Sequence, residues 1–234
     1  MRWQPAELVA AWFETPTART LSLRVAGWPG HLPGQHIDVR LTAPDGYRAE
    51  RSYSLAAPAN GELIEITVQR VPSGEVSEYL VDVFPVGALI EVRGPVGGWF
   101  VWQPERGAAV LVGGGSGIVP IMSMVRARSG ADVPVRVIYS LRGPEEQYYR
   151  DELTEKSGLD LFLAYTRTAP PGNPRPPHRL TRAELDANGL PPAANVTCYV
   201  CGPTGFVESV AATLVSLGHD PAAIRTERFG PSGK

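Results

Sequence analysis

Between residues 7 and 101, apolar and polar positions alternate in short runs, each cut off by a turn signal. The runs are Leu8–Glu14, Thr20–Val25, His36–Leu41, Arg51–Ala56, Leu63–Arg70 and Leu89–Arg93, with breaks at Trp28-Pro29-Gly30, Ala43-Pro44-Asp45-Gly46 and Asn60-Gly61. Short strands spaced this evenly predict a small antiparallel β-barrel or sandwich, interrupted by one short helix over Glu75–Val81 after Pro72-Ser73-Gly74. From Ala108 the rhythm changes. Strands at Ala109–Val112, Val135–Leu141, Leu159–Tyr165, Asn195–Cys201 and Ile224–Glu227 alternate with helices at Ile118–Arg128, Glu145–Glu155 and Gly205–Leu217. Such alternation predicts an α/β domain on a parallel sheet. The change of rhythm near Gln103–Gly107 divides the chain into a β-barrel domain, 1–103, and an α/β domain, 104–234. A Pro-rich segment, Ala169 to Pro177, has no periodicity and reads as an exposed loop.

Composition narrows the function classes. The chain has 234 residues, room for one large domain or two of ordinary size, and at 43% hydrophobic with a mean hydropathy of −0.09 it can bury a proper core. Its net charge of −2 and pI near 6.1 argue against a nucleic-acid-binding surface. No apolar run reaches membrane-spanning length and the N-terminus has no signal-peptide core, so a cytoplasmic protein is expected. Cys198 and Cys201 have the spacing of a redox pair or half a zinc site. They lie in one buried-looking strand with their side chains on opposite faces, and no second Cys/His pair completes a tetrahedron. No metal site is expected.

Four stretches carry candidate chemistry. In Arg51-Ser52-Tyr53-Ser54-Leu55, period two sets Arg51, Tyr53 and Leu55 on one face, with Ser52 and Ser54 on the other. A guanidinium fork grips a pyrophosphate and a phenol offers a ring to stack on, although the pair also suits ordinary cross-strand packing. Gly113-Gly114-Gly115-Ser116-Gly117-Ile118-Val119-Pro120 ends a strand and opens a helix, where bare backbone N–H groups can approach a phosphate. It is not the G-x-G-x-x-G fingerprint, and the second strand ends on Ser140-Leu141-Arg142 where that fold carries an acidic ribose ligand. Cys201-Gly202-Pro203 and Glu227-Arg228-Phe229-Gly230-Pro231 end two further strands on the same edge. Either alone is ordinary punctuation; three ends meeting at one crevice favour a ligand.

Taken together, these motifs resemble the ferredoxin–NADP reductase superfamily, in particular its FAD-binding, NAD(P)H-dependent reductases, over nearly the whole chain. The resemblance implies that Arg51 holds the FAD pyrophosphate, with Ser52 beside it. It also implies that Tyr53 packs on the isoalloxazine and that Ser54 lies near flavin N5. Val68 and Arg70 would belong to the phosphate-binding strand, and Gly74, Val76 and Ser77 to the short helix after it. Arg93-Gly94-Pro95-Val96-Gly97 would close the barrel. Gly114, Gly115, Ser116, Gly117 and Pro120 would take the nicotinamide dinucleotide, with Cys201, Gly202 and Pro203 beside the nicotinamide. Thr166 and Arg167 fall where the family places comparable residues, and Ser140, Arg142 and Arg167 could meet a 2′-phosphate, which leans the coenzyme to NADPH over NADH. Phe229 would cover the flavin, or else be a packed tail. Ser54, Cys201 and Glu227 are the candidates nearest the reacting atoms. Cys201 suits a soft packing group better than a nucleophile, and Glu227 is either a proton carrier or a surface carboxylate.

The implied activity is hydride transfer from NAD(P)H to flavin across the interface of the two domains. With only two cysteines, no iron–sulfur domain is expected on the chain. The electrons would then pass to a separate ferredoxin or oxygenase component, from a reductase expected to be a monomer. A flavin reductase releasing reduced flavin, and a non-catalytic nucleotide-binding or redox-sensing subunit of a larger complex, are the alternatives.

Overall fold

The computed structural model describes residues 2–128, 133–155 and 159–230. The chain forms two compact units, Met1–Trp102 with Met122–Ala127, and Gln103–Ile121 with Arg128–Lys234.

The first unit is an antiparallel six-stranded sheet of β1 (Gln4–Thr15), β2 (Ala18–Arg24), β3 (His36–Thr42), β4 (Arg48–Ser54), β5 (Leu63–Gln69) and β6 (Leu89–Val96). Their order is β4-β3-β6-β1-β2-β5. Leu21, Leu23, Ile37, Val39, Ile64, Ile66, Val68 and Val92 fill the interior and are almost completely buried. The edges β4 and β5 meet through the bridge Leu55–Ile66 and the bond from Ala56 N to Glu65 O, 2.8 Å. β4 thus begins at Arg48 and ends at Ser54, three residues earlier at its start than the alternation suggests. At Leu55 the chain turns from β3 towards β5, which curls the sheet into a barrel but leaves a seam along the rest of β4.

The expected helix at Glu75–Val81 is a single α-turn, α1 (Glu75–Glu78), continued by a π-turn over Tyr79–Val83. Its loosened end is held from a distant strand. The Arg19 guanidinium donates to the carbonyls of Leu80 (3.1 Å) and Phe84 (2.9 Å), groups a helix end leaves unpaired.

The second unit is a parallel sheet of β7 (Ala108–Gly114), β8 (Val135–Leu141), β9 (Asp160–Tyr165), β10 (Val196–Pro203) and β11 (Ile224–Phe229), in the order β11-β10-β7-β8-β9. Helix α2 (Ile118–Ala127) starts in this unit and ends in the first, and α3 (Arg150–Glu155), α4 (Arg182–Asn188) and α5 (Thr204–Ser216) belong to the second unit. The helix expected over Glu145–Glu155 is divided. Pro144–Glu146 makes a 3-10 turn, buried Tyr149 takes a φ of 53°, and the α-helix starts only at Arg150. Two buried tyrosines, Tyr148 and Tyr149, are pulled into the core there at the expense of helical phase. The sequence reading places no helix at 182–188. The structure forms one behind a full capping box, in which Thr181 Oγ1 accepts from Glu184 N and the Glu184 carboxylate accepts from Thr181 N. Among the described residues no helix is long and apolar enough to cross a membrane.

Candidate functional site: two cofactor seats

In the first unit the candidate seat is the seam beside β4. Arg51 and Tyr53 pair with Val39 and Ile37 of β3, so both lie on the face that elsewhere fills the barrel. Because β4 is an edge strand, this face is open at Arg51, whose guanidinium is exposed. Among the described residues it bonds the Glu50 carbonyl, 2.6 Å away, and it pairs with no carboxylate there. Its neighbours are already committed. Arg40 is held by Glu91 (2.6 Å) and Arg93 by Asp38 (2.7 Å). Tyr53 is half-buried against the core, and burial pushes its phenol upwards, so it is neutral at any ordinary pH. Ser54 is 5% exposed, and its Oγ has no hydrogen-bond partner among the described residues. A buried hydroxyl left without a partner is uncommon and normally marks a missing one. An unspent guanidinium and a neutral ring on one face of β4, with an orphaned hydroxyl on the other face at the strand's last residue, fit FAD. An open cleft of about 720 Å³, lined by Tyr47, Ala49, Glu75 and Tyr79 among others, adjoins the same strand.

Several residues expected in this seat are used differently. The Ser52 hydroxyl is bonded to Asp38 (2.7 Å) on the other face, so only its backbone can serve a ligand. Val68 and Val76 are core side chains, with the same consequence. Arg70 is paired with Asp82 at 3.0 Å and reaches a phosphate only by leaving it. The Ser77 hydroxyl accepts from Val71 N and donates to Gly74 O, both at 3.1 Å, so it ties down the turn. Gly74 is required by that tie: a Cβ there would lie 2.6 Å from Ser77 Oγ.

In the second unit, β7 is the first strand, with β8 and β9 on one side and β10 and β11 on the other. The crevice at the carboxyl ends of β7 and β10 is therefore the switch point where open α/β sheets bind ligands. Register brings the expected residues to that edge. Cys201 lies opposite Gly113 and Glu227, Gly202 opposite Arg228, and Pro203 opposite Phe229; on the other side Gly114 faces Ser140. Most of the glycines are required by close packing. A Cβ at Gly114 would meet the Phe206 ring at 2.7 Å, and one at Gly117 would meet the Cys201 carbonyl oxygen at 2.2 Å. Gly115 alone in this turn combines a positive φ, 55°, with open space around it, and is the point where a phosphate can approach the backbone. Phe206 is the residue the sequence reading missed. Its signal is the spacing Pro203-x-x-Phe206, which returns a ring from the first turn of α5 onto both strand ends.

The titratable groups here are shifted by burial. Cys201 is fully buried, and burial with the neighbouring Glu227 charge pushes its thiol well up, so no thiolate forms. Cys198 is likewise pushed up to about 12, which leaves it inert. Burial raises the Glu227 carboxyl to about 7, into the range where a carboxylic acid can exchange a proton at neutral pH. Its pKa is higher folded than unfolded, so the stability it contributes falls as pH rises from about 4.5 to about 7. The melting temperature of Glu227→Gln is accordingly expected to lose that decline and coenzyme turnover to lose its inflection near pH 7. Profiles identical to the parent protein's would show that Glu227 titrates normally.

Ser140 is buried and cannot present its hydroxyl freely. Arg142 and Arg167 are exposed at the ends of their strands; Arg142 lies 3.9 Å from the Glu146 carboxylate, a loose pair it would leave to meet a phosphate, and the backbones are bonded, Arg167 N to Arg142 O, at 2.9 Å. Thr166 donates through both N and Oγ1 to Leu141 O, so its hydroxyl is also spent. Residues 231–234, which include Pro231, lie outside the described residues.

Comparison with known proteins bears on both seats. Residues 15–101 match the oxidoreductase FAD-binding domain and residues 111–212 the oxidoreductase NAD-binding domain, together well over half of the chain. One similar protein is the ferredoxin–NAD(P)+ reductase component of the naphthalene 1,2-dioxygenase/salicylate 5-hydroxylase systems of a Ralstonia species. It is 29% identical over 94% of this chain and 66% of its own length. A flavohemoprotein of Deinococcus radiodurans is 33% identical over 87% of this chain and 53% of its own length. The chain thus spans about half to two thirds of the curated relatives it matches. The crystal structure of the flavohem-like FAD/NAD-binding domain of nitric oxide dioxygenase from Vibrio cholerae superposes with a TM-score of 0.84. It is 25% identical, over 97% of this chain and 99% of that one. With a barrel and a parallel sheet matched in order by FAD- and NAD-binding oxidoreductase domains, the chain belongs to the ferredoxin–NADP reductase superfamily, and its cofactors are FAD and NAD(P)H.

Proposed function

We propose that this chain is the reductase of an electron-transfer system, taking hydride from NAD(P)H onto FAD and passing electrons to a separate ferredoxin or oxygenase component. The observation that carries the reading is the seat on β4, where Arg51 is unspent and Ser54 Oγ is buried without a partner, on a chain of this family. Support for the acceptor comes from similar proteins named as reductase components of oxygenase systems, including the glycine betaine monooxygenase reductase subunit of Chromohalobacter salexigens, 30% identical. When bound, FAD accepts a hydride and can release its two electrons singly, which suits a one-electron acceptor. The chain's own residues bind and orient. Arg51 holds the pyrophosphate, Tyr53 presents a neutral ring, and Ser54 offers one hydrogen bond. The Gly115 turn receives phosphate through its backbone, Cys201 packs as a protonated thiol that excludes water, and Glu227 holds or yields a proton at its carboxyl. We take the protein to be cytoplasmic and monomeric.

The purified protein tests this reading. A yellow colour that survives desalting, with rapid NAD(P)H oxidation in the presence of an artificial one-electron acceptor, is expected. Colourless protein that oxidises NAD(P)H only with added free flavin would establish a flavin reductase instead. Oxidation of neither coenzyme under any of these conditions would leave only the nucleotide-binding subunit. For the coenzyme, Arg142 and Arg167 suit a 2′-phosphate and no acidic residue ends β8, so kcat/KM is expected to favour NADPH. A strong preference for NADH would reverse that assignment.

A further inference from the structure

The Pro-rich segment after β9 is folded, and one buried arginine organises it. Its two ends are tied together by the bond from His178 N to Tyr165 O, 3.2 Å, which makes the excursion a closed surface loop. Gly172, with φ at 78°, and the bond from Asn173 N to Pro170 O form its tip. The Arg175 side chain, 10% exposed, fills the inside. It donates from Nη1 to Tyr165 O (2.6 Å), from Nη2 to His178 O (2.8 Å) and from Nε to Glu184 Oε1 (2.5 Å). Asn173 Nδ2 in turn donates to the Arg175 carbonyl at 2.6 Å. Glu184 is the residue that caps α4. Burial raises its carboxyl, but the Arg175 and Thr181 bonds outweigh that and hold it down at about 2, so it is charged throughout the working pH range. The guanidinium therefore links three things: the end of β9, the return of the loop and the start of α4. With these donors spent on the protein, Arg175 is not itself a ligand-binding group.

What it holds lies next to the coenzyme edge. Tyr165, whose carbonyl Arg175 grips, is followed by Thr166, Arg167 and Thr168. The amides of Arg167 and Thr168 bond the Arg142 carbonyl at 2.9 and 3.0 Å. The backbones of Arg142 and Arg167 are thus bonded to each other, next to a segment that Arg175 anchors at Tyr165 and His178. We propose that Arg175 is a positioning residue for coenzyme recognition: it locks the segment 166–178 into a strut that fixes Arg167 beside Arg142, ready for the 2′-phosphate of NADPH. This rests on the reading above that the sheet edge takes NAD(P)H. Lysine cannot replace it, because an ammonium lacks the fork that reaches a carbonyl and a carboxylate in one plane.

The test uses FAD-loaded protein and two probes differing by one phosphate, adenosine 2′,5′-bisphosphate and 5′-AMP. Arg175→Met is expected to bind the bisphosphate roughly tenfold more weakly, the effect of one misplaced charge-assisted hydrogen bond, with 5′-AMP affinity unchanged. In turnover, the KM for NADPH should rise by a similar factor while kcat and the KM for NADH hold. Arg175→Lys should recover only part of the loss. Glu184→Gln, which keeps the shape of the contact, should shift the same ratio in the same direction and decides the matter if Arg175→Met does not fold. A merely structural role would lower the melting temperature without changing the ratio between the probes. Equal losses for both probes, or none, would overturn the proposal. Arg167→Ala separates the two levels. If it leaves bisphosphate binding intact in a protein that binds both probes, the edge does not read a 2′-phosphate, and the proposal falls with that assignment. If it weakens bisphosphate binding while Arg175→Met does not, only the role of Arg175 fails.

Discussion

Arg51→Ala is expected to give folded protein that loses most of its FAD on desalting. The guanidinium is exposed and its bond among the described residues goes to a backbone carbonyl one residue away, so the barrel gains little from it. An exposed substitution of this kind changes stability by about 0.5 kcal/mol or less. For the cofactor the position is different. A charged hydrogen bond to a pyrophosphate is worth about 1.5–3 kcal/mol, which corresponds to roughly ten- to a hundredfold in affinity. The committed arginines nearby cannot substitute, since Arg40 and Arg93 are held by Glu91 and Asp38. The ratio of FAD to protein after desalting, read from absorbance, checks this directly. A full complement of FAD in the variant would mean that the pyrophosphate lies elsewhere.

Gly117→Ala should be the most damaging single methyl group in the second unit. The added Cβ would lie 2.2 Å from the Cys201 carbonyl oxygen and 2.7 Å from Gly202 N, both backbone atoms of β10. Neither can rotate away, so the turn and the strand end must separate. Overpacking costs about 1–3 kcal/mol where side chains can adjust, and more is expected where they cannot. Coenzyme binding should weaken at least tenfold while FAD stays bound, because the barrel has its own core. Gly115→Ala is the control for stability alone, since a Cβ there meets open space and costs only a left-handed alanine, about 1–2 kcal/mol. Equal losses of melting temperature from the two substitutions would show that the crevice tolerates movement of β10.

The shared face of Arg51 and Tyr53, on which the candidate seat rests, was legible because period two is a local property that holds whatever the fold. The end of β4 was not, since Leu55 leaves its strand for a partner, Ile66, that alternation cannot identify. The glycine turn was found correctly as a strand-to-helix junction. Its reason was only partly visible, because Gly114 answers to Phe206, 92 residues on, and Gly117 to Cys201, 84 residues on. The same limit hid the π-turn held by Arg19. Helix α4 was missed for a different cause. Its capping box, Thr181-Arg182-Ala183-Glu184, was present in the sequence but stood directly behind a run of prolines that suggested only loop. Arg175 was unreadable for the opposite reason: its charge suggested solvent, and its burial depends on a loop closure that has no sequence period.

The most direct test of the account is anaerobic mixing of FAD-loaded protein with NADPH or NADH in a stopped-flow spectrometer, followed by mixing with candidate ferredoxins or oxygenase components. The account predicts that nicotinamide bleaches the bound flavin within the time of one turnover. The flavin should then be reoxidised by at least one such protein faster than by dioxygen. A flavin that stays oxidised with both coenzymes, yet is bleached by a chemical reductant, would contradict it.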